Sequence, residues 1–270
     1  MTVNEKISAL RRLMQEHGLY AYYIGTADPH NSEYIADHFR SRAFMSGFEG
    51  SAGTLVVTMD QALLWADGRY HIQAAGDLEG SEIILMKAGA PGVPRTQDWL
   101  VDNLPPASKL AIGGSLHSDG EIGRLALQLS RKEISLITDL DLVGQLWEDR
   151  PPLPQGKVRP HPLKYAGRTT ADKIAEVRRL MQQDLADAAF YIGLDDIMWL
   201  TNLRGEDVPG NPVALSYALI EKEKATLFIN PDKLAAGLQE TLAEQGVTVA
   251  PYDSVRDALQ GLAAERIVLD

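Results

Sequence analysis

Arg11-Arg-Leu-Met-Gln15 is followed closely by Tyr23-Ile-Gly25, and the same two phrases return downstream as Arg178-Arg-Leu-Met-Gln182 and Tyr191-Ile-Gly193. The first phrase repeats at a distance of 167 residues and the second at 168. Five identities and then three, in one order and almost one register, read as a duplicated domain. The competing reading is that good helix formers before a Tyr-Ile strand are common in α/β proteins. Around the first copy, Ile7, Leu10, Leu13 and Met14 fall at helical spacing, polar residues fill the gaps, and Gly18 supplies a stop. A helix over 6–17 is expected. The aromatic and β-branched run 20–24, ending at Gly25, then reads as a buried strand.

Working outward, Pro151, Pro152, Pro154, Pro160 and Pro162 crowd a stretch that suits neither a helix interior nor a central strand. An extended linker there divides the chain into domains of 1–155 and 156–270. In the first, strands are expected at 43–45, 54–58, 62–66, 109–112 and 134–137. Helices are expected at 70–75, 96–101 with Thr96 as cap, and 121–129. In the second, Thr169 or Thr170 caps a helix over 171–183. Strands follow at 188–192, 214–220, 225–229, 247–250 and 266–269, with helices at 195–200, 231–245 and 254–264. The alternation makes each half an α/β domain, a mixed sheet flanked by helices. A last strand cut at Asp270 reads as a chain trimmed at a domain edge.

Composition narrows the function classes. With 270 residues, 45% hydrophobic and 23% charged, general disorder is excluded and two ordinary domains fit. The 26 Lys and Arg against 37 Asp and Glu leave a net charge of −11, which repels nucleic-acid phosphates and anionic lipid surfaces. Neither is an expected partner. With no cysteine there is no disulfide, thiolate nucleophile or Cys-based zinc site. The polar start lacks a secretory core, and no run reaches the ~18 apolar residues of a membrane span. The expected location is the cytoplasm.

Few motifs carry chemistry. Gly47, Gly50 and Gly53 match neither phosphate-loop spacing and read as a turn between strands, with Gly supplying positive φ. Ser51 lacks the preceding glycine of a nucleophile elbow, because Glu49 stands there. Asp28, His30, Glu33, Asp37 and His38 are the densest set of metal-type donors, yet they are sequential and read as a solvated loop entering a helix at Ser32. Asp195-Asp196 reads as a helix start favoured by the dipole. Trp65-Ala-Asp-Gly-Arg-Tyr70 differs in kind, because an apolar strand delivers Asp67 and Arg69 at its carboxyl end, where ligands of open α/β sheets sit. Arg69 can grip a substrate carboxylate or a facing acidic group in bidentate fashion, or it can close a salt bridge, either internally to Asp67 or between the domains.

Several of these segments together resemble one family. Asp28-Pro-His-Asn-Ser-Glu-Tyr-Ile-Ala36, Arg42-Ala-Phe-Met-Ser-Gly-Phe-Glu-Gly-Ser-Ala-Gly-Thr54, Trp65-Ala-Asp-Gly-Arg-Tyr70, Gln97-Asp-Trp-Leu100, Leu146-Trp-Glu-Asp-Arg-Pro151 and Asn202-Leu-Arg-Gly-Glu-Asp-Val208, with Asn211-Pro212 and Ser216-Tyr-Ala218, are similar to the three-domain Xaa-Pro aminopeptidases. The resemblance spans almost the whole chain. It implies two tandem creatinase N-terminal-like domains, followed in the family by a pita-bread domain that holds two manganese ions and is absent from this chain. No catalytic or metal-binding residue is carried over, and no cofactor is expected within these 270 residues. Removal of an N-terminal residue next to proline is the implied activity of the parent protein, with short proline-containing peptides as partners and room for a homodimer. On this chain the resemblance implies help in restricting access to the active site and in assembly, with Arg69, His30 and Phe48 as substrate-facing residues. The alternative is a free-standing binding or assembly module without peptidase activity. Creatine-type hydrolysis is disfavoured, because those relatives carry only one such N-terminal domain.

Overall fold

The structure, a computed structural model, describes residues 1–269. The chain divides into two compact units, Met1–Pro152 and Leu153 onward. Each has its own sheet.

Unit 1 opens with α1 (Val3–Glu16), longer at its start than the periodicity indicates because Thr2 and Glu5 form a reciprocal capping box. β1 (Ala21–Gly25) follows, then a loop and α2 (Ser41–Ser46). Residues 43–45 are therefore helical, not a strand, and no helix starts at Ser32, whose backbone N–H instead donates to Asp28 Oδ1 at 3.0 Å. β2 (Gly53–Thr58), β3 (Ala62–Ala66), α3 (His71–Asp77), β4 (Ile84–Lys87), α4 (Thr96–Asn103), β5 (Lys109–Ile112), α5 (Asp119–Leu129), β6 (Ser135–Ile137) and α6 (Leu142–Leu146) complete it. Thr96 is the first helical residue of α4 and not its cap; Arg95 holds that position without a side-chain bond. The six strands lie in the order β4-β3-β2-β1-β5-β6. Both faces are covered. Ile7, Leu10 and Met14 of α1 pack with Tyr22, Leu55 and Leu64 on one side, and Leu100, Leu125 and Leu129 pack with Ala21, Val56 and Trp65 on the other. Alternation along β1 and β2 feeds the two cores in turn.

Unit 2 consists of β7 (Arg159–Pro160), α7 (Leu163–Ala166), α8 (Thr170–Gln183), β8 (Ala188–Tyr191), α9 (Leu194–Thr201), β9 (Leu203–Arg204), β10 (Tyr217–Glu221), β11 (Ala225–Phe228), α10 (Leu238–Glu244), β12 (Thr248–Ala250), α11 (Val255–Gln260) and β13 (Ile267–Leu269). Part of the expected linker is thus structured, because Arg159 and Pro160 pair with Arg204 and Leu203 at an edge where proline is tolerated. The expected helix over 231–245 is broken. A 3-10 turn at Pro231–Lys233 ends at Leu234, and α10 begins only after Gly237, whose φ of +77° no helix interior accepts.

Beside the two-stranded β7-β9 pair, unit 2 has a five-stranded sheet in the order β12-β11-β10-β8-β13, which repeats the order of the first sheet without a counterpart of β6 among the described residues. β8 lies between antiparallel β10 and parallel β13, as β1 lies between antiparallel β2 and parallel β5. Arg11 Nε donates to the Thr58 carbonyl at 2.9 Å and Arg178 Nε to the Glu221 carbonyl at 3.0 Å, so the repeated arginine ties the helix to the end of the second strand in both units. Ala21 pairs with Thr58 and Ala188 with Glu221, which keeps the 167-residue offset through the strand. Tyr191 consequently occupies the place of Ile24, and the Tyr-Ile-Gly likeness lies one residue out of structural register.

Candidate functional site

β1 and β3 run in the same direction, and β2, antiparallel to both, starts from the edge where they end; Gly25 pairs with Thr54 and Gly53 with Ala66. The segments after β1, before β2 and after β3 therefore meet at one edge of the sheet. They carry His30, Phe48 and Arg69 respectively.

Asp67 caps the 3-10 turn Gly68–Tyr70, its Oδ1 accepting the Arg69 backbone N–H at 2.9 Å. The same carboxylate accepts the Arg69 guanidinium, with Nη2 to Oδ2 at 2.7 Å and Nε to Oδ1 at 3.2 Å. The Arg69 side chain is 67% exposed and that of Asp67 37% exposed. Hydrogen bonding from Arg69 holds the Asp67 carboxyl below its ordinary pKa, and Arg69 is correspondingly raised. An ion pair in water is weakly held, so this guanidinium can exchange its partner for another carboxylate at little cost.

Beneath Arg69 the surface is built by aromatic packing. The Arg69 Cζ stands 5.4 Å from the Tyr70 ring centroid, and the Tyr70 hydroxyl meets Ser51 Oγ at 2.8 Å. That bond holds the Tyr70 phenol below its ordinary pKa. Tyr70 packs edge-on against Phe48 at 5.7 Å, and Phe48 is fully buried. Gly50 is required there, because a Cβ would stand 2.3 Å from the Phe48 ring. Gly47 ends α2 at φ +74°; it is the one glycine of the three with positive φ, so the loop joins a helix to a strand and not two strands.

Arg42, itself buried, organises the loop from below. Its Nη1 and Nη2 donate to the carbonyls of Phe48 and Gly50, and Nε donates to Thr26 Oγ1 at 3.0 Å. Burial pulls its pKa down to about 10, which leaves it charged at neutral pH. Sequence reading passed over Arg42 and Tyr70, because a buried arginine satisfied by backbone carbonyls leaves no pattern of spacing. His30 is buried as well, and Asp28 Oδ1 accepts its backbone N–H at 3.0 Å. Of the three expected substrate-facing residues, Arg69 alone is exposed.

The donors between Asp28 and His38 do not gather around a common point. Asp28 Oδ1 is taken by two backbone N–H groups, Asp37 faces Arg40 at 3.5 Å, and His38 Nδ1 lies 2.7 Å from the Pro151 carbonyl. Among the described residues no three His, Asp or Glu side chains are placed to hold a metal ion. The residues present therefore do not fit a two-metal centre. Asp195 and Asp196 occupy the first turn of α9. No helix among the described residues is long and apolar enough to cross a membrane.

Residues 6–140 match the Creatinase/Prolidase N-terminal domain, and residues 149–270 match a second domain of the same description. Over 269 residues, 98% of its length, the chain is 40% identical to aminopeptidase P2 of Arabidopsis thaliana, of which it covers 38%. It is 40% identical to a probable Xaa-Pro aminopeptidase P of Penicillium rubens, covering 97% of this chain and 43% of that protein. Among solved structures it is similar to the X-prolyl aminopeptidase of Caenorhabditis elegans, described as a cytosolic enzyme with a di-nuclear active site. The TM-score is 0.92 at 34% identity, over 96% of this chain and 44% of that one. The chain thus spans about two fifths of the length of the relatives it matches.

Proposed function

This chain belongs to the creatinase/prolidase N-terminal domain family, two copies of which fill it, and from that premise we propose that it is the non-catalytic N-terminal region of a metal-dependent Xaa-Pro aminopeptidase. The observation that carries this reading is the combination of whole-chain similarity to such enzymes with a donor set that does not fit a metal centre. Hydrolysis then depends on residues outside these 270, and manganese, if it is the family's metal here, is bound outside them as well. Unit 1 contributes Arg69, exposed at the sheet edge and supported by Tyr70 over Phe48. In this role it meets the carboxylate of a short peptide, or an acidic group of the catalytic portion, and so limits which peptides enter. His30 and Phe48 act from beneath, by fixing the loops that present Arg69.

Two expected results test this reading. The purified 270-residue chain, incubated with manganese and an X-Pro-containing tripeptide, releases no first residue above background. Sustained release that a chelator abolishes overturns the assignment. In the full-length protein, Arg69→Ala lowers kcat/KM for short peptides by about tenfold, and Arg69→Lys restores it only in part because an ammonium lacks the planar fork. Unchanged kinetics in Arg69→Ala confine Arg69 to its bond with Asp67.

A further inference from the structure

A cavity of about 280 Å³ opens between α4 and α5 near the carboxyl end of β5, separate from the Arg69 surface. Its interior is formed by Tyr23, Ile112, Leu125 and His117, and Arg95, Arg124 and two glutamines line it as well. Three polar groups here are underused. The His117 side chain is 13% exposed, yet its ring makes no hydrogen bond among the described residues; the nearest carboxylate, Glu121 Oε2, is 3.9 Å from Nδ1. The ring instead packs edge-on against Tyr23 with centroids 5.6 Å apart. The Tyr23 hydroxyl has one long contact, 3.5 Å to Thr54 Oγ1. Arg124 is exposed and has neither an ion pair nor a hydrogen bond among the described residues.

The charges around the cavity decide what it accepts. Arg95 holds Asp98 at 2.8 and 3.1 Å, but its side chain is 78% exposed, so like Arg69 it can exchange that partner for another carboxylate. Glu121 turns back on its own helix, its Oε2 accepting the Ser118 backbone N–H at 3.2 Å and hydroxyl at 3.1 Å. One oxygen of the lining acid is engaged, while two guanidinium groups, Arg124 unpaired among the described residues and Arg95 weakly paired, line the cavity, so it favours a negative group over a cation. Its size suits a ligand of one ring or one amino acid, at the small end of ligand pockets. The His117 and Arg124 side chains line the cavity without a hydrogen bond from the protein among the described residues, so water or a ligand is their partner. The carboxyl end of a parallel strand is also where ligands of open α/β sheets bind.

We propose that this cavity binds a small organic carboxylate, its apolar body against Tyr23, Ile112 and Leu125 and its carboxylate between Arg124 and the His117 ring. Two features separate this ligand from others of similar chemistry. A free phosphate has the charge but no apolar body to displace water from Leu125 and Ile112. A neutral ring has the body but leaves Arg124 and His117 as they were. The site is independent of the reading of Arg69, and nothing in it requires peptidase activity.

The test is a titration of the 270-residue chain with benzoate, inorganic phosphate and benzyl alcohol, followed by calorimetry and by NMR of the histidine ring protons. Benzoate is expected to saturate with a Kd of about 1 mM or below and to move the His117 resonances, whereas benzyl alcohol and phosphate each bind at least about tenfold more weakly. Arg124→Ala weakens benzoate by about tenfold and Arg124→Lys by less, while Arg95→Ala, which removes a guanidinium that must first leave Asp98, weakens it by less than Arg124→Ala does. Arg124 is exposed, so these variants keep the fold, and unchanged tryptophan fluorescence checks that they do. The proposal is overturned if benzoate fails to saturate by about 10 mM, ten times the expected Kd. It is overturned equally if benzyl alcohol or phosphate matches benzoate, or if Arg124→Ala binds benzoate as the parent does.

Discussion

Lys233→Met is expected to destabilise unit 2 by about 3–5 kcal/mol, the cost of leaving a buried charge without its partner. Lys233 and Asp207 have side chains 3% and 0% exposed, and the lysine ammonium donates to Asp207 Oδ2 inside the unit. That oxygen also accepts the Leu215 backbone N–H at 2.7 Å, while Oδ1 is buried without a partner. The carboxylate therefore depends on one cation and one amide. Methionine fills the lysine's volume, so the loss is electrostatic and leaves little cavity behind. Adding Asp207→Asn to Lys233→Met removes the second charge and keeps an acceptor for Leu215, so the double variant recovers a good part of the loss. Hydrogen exchange of the β10 and β11 amides in rising urea measures both. A loss below about 1 kcal/mol for Lys233→Met would show that the pair is of the weak, solvated kind.

The same pair shows why unit 2 was only partly legible. The helix expected over 231–245 rested on composition, and Pro231 at its start supported it. Burial of Lys233 beside Asp207 holds the first turn in place, and the chain then leaves the helical path so that Leu234 can bridge to Val158. Gly237 was the local signal that the helix restarts there. In unit 1, Ala43-Phe-Met45 was misread for a related reason. Three apolar residues cannot distinguish a strand from a helical turn, and the decision is made by Arg42 reaching forward to Phe48 and Gly50. β4 escaped notice because it pairs in parallel with β3, Ile84 against Leu63, a register set by tertiary packing. What was legible was what repeats. The helix, its arginine and the strand beside it are local features, and duplication printed them twice. The Arg69 turn was legible as well, because Asp67 caps it within two residues. The burial of His30 and Phe48 was not, since it depends on loops converging from three strands.

Arg42→Met is the second large effect to expect, a loss of about 3 kcal/mol or more from unit 1. The guanidinium is the donor for two buried carbonyls and lies against Thr26 Oγ1, with its Cζ 4.6 Å from the Phe48 ring centroid. Each hydrogen bond to a charged group contributes about 1.5–3 kcal/mol, and acceptors stranded in the interior add their own desolvation cost. Methionine keeps the bulk against Phe48 but offers no donor. Arg42→Lys keeps the charge, yet a single ammonium cannot span Thr26, Phe48 and Gly50 together, so an intermediate loss of about 1–2 kcal/mol is expected. Trp65, Trp99 and Trp147 all lie in unit 1, so fluorescence-detected urea unfolding reports mainly on that half. The consequence extends to the candidate site. With Gly50 released, Phe48 no longer has a fixed ring to offer Tyr70, and Arg69 loses the platform beneath it. On the proposed role of Arg69, Arg42→Met in the full-length protein reproduces the kinetic loss of Arg69→Ala at temperatures where the protein is still folded. A destabilised variant with parental kcat/KM would separate the loop's structural role from any part in presenting Arg69.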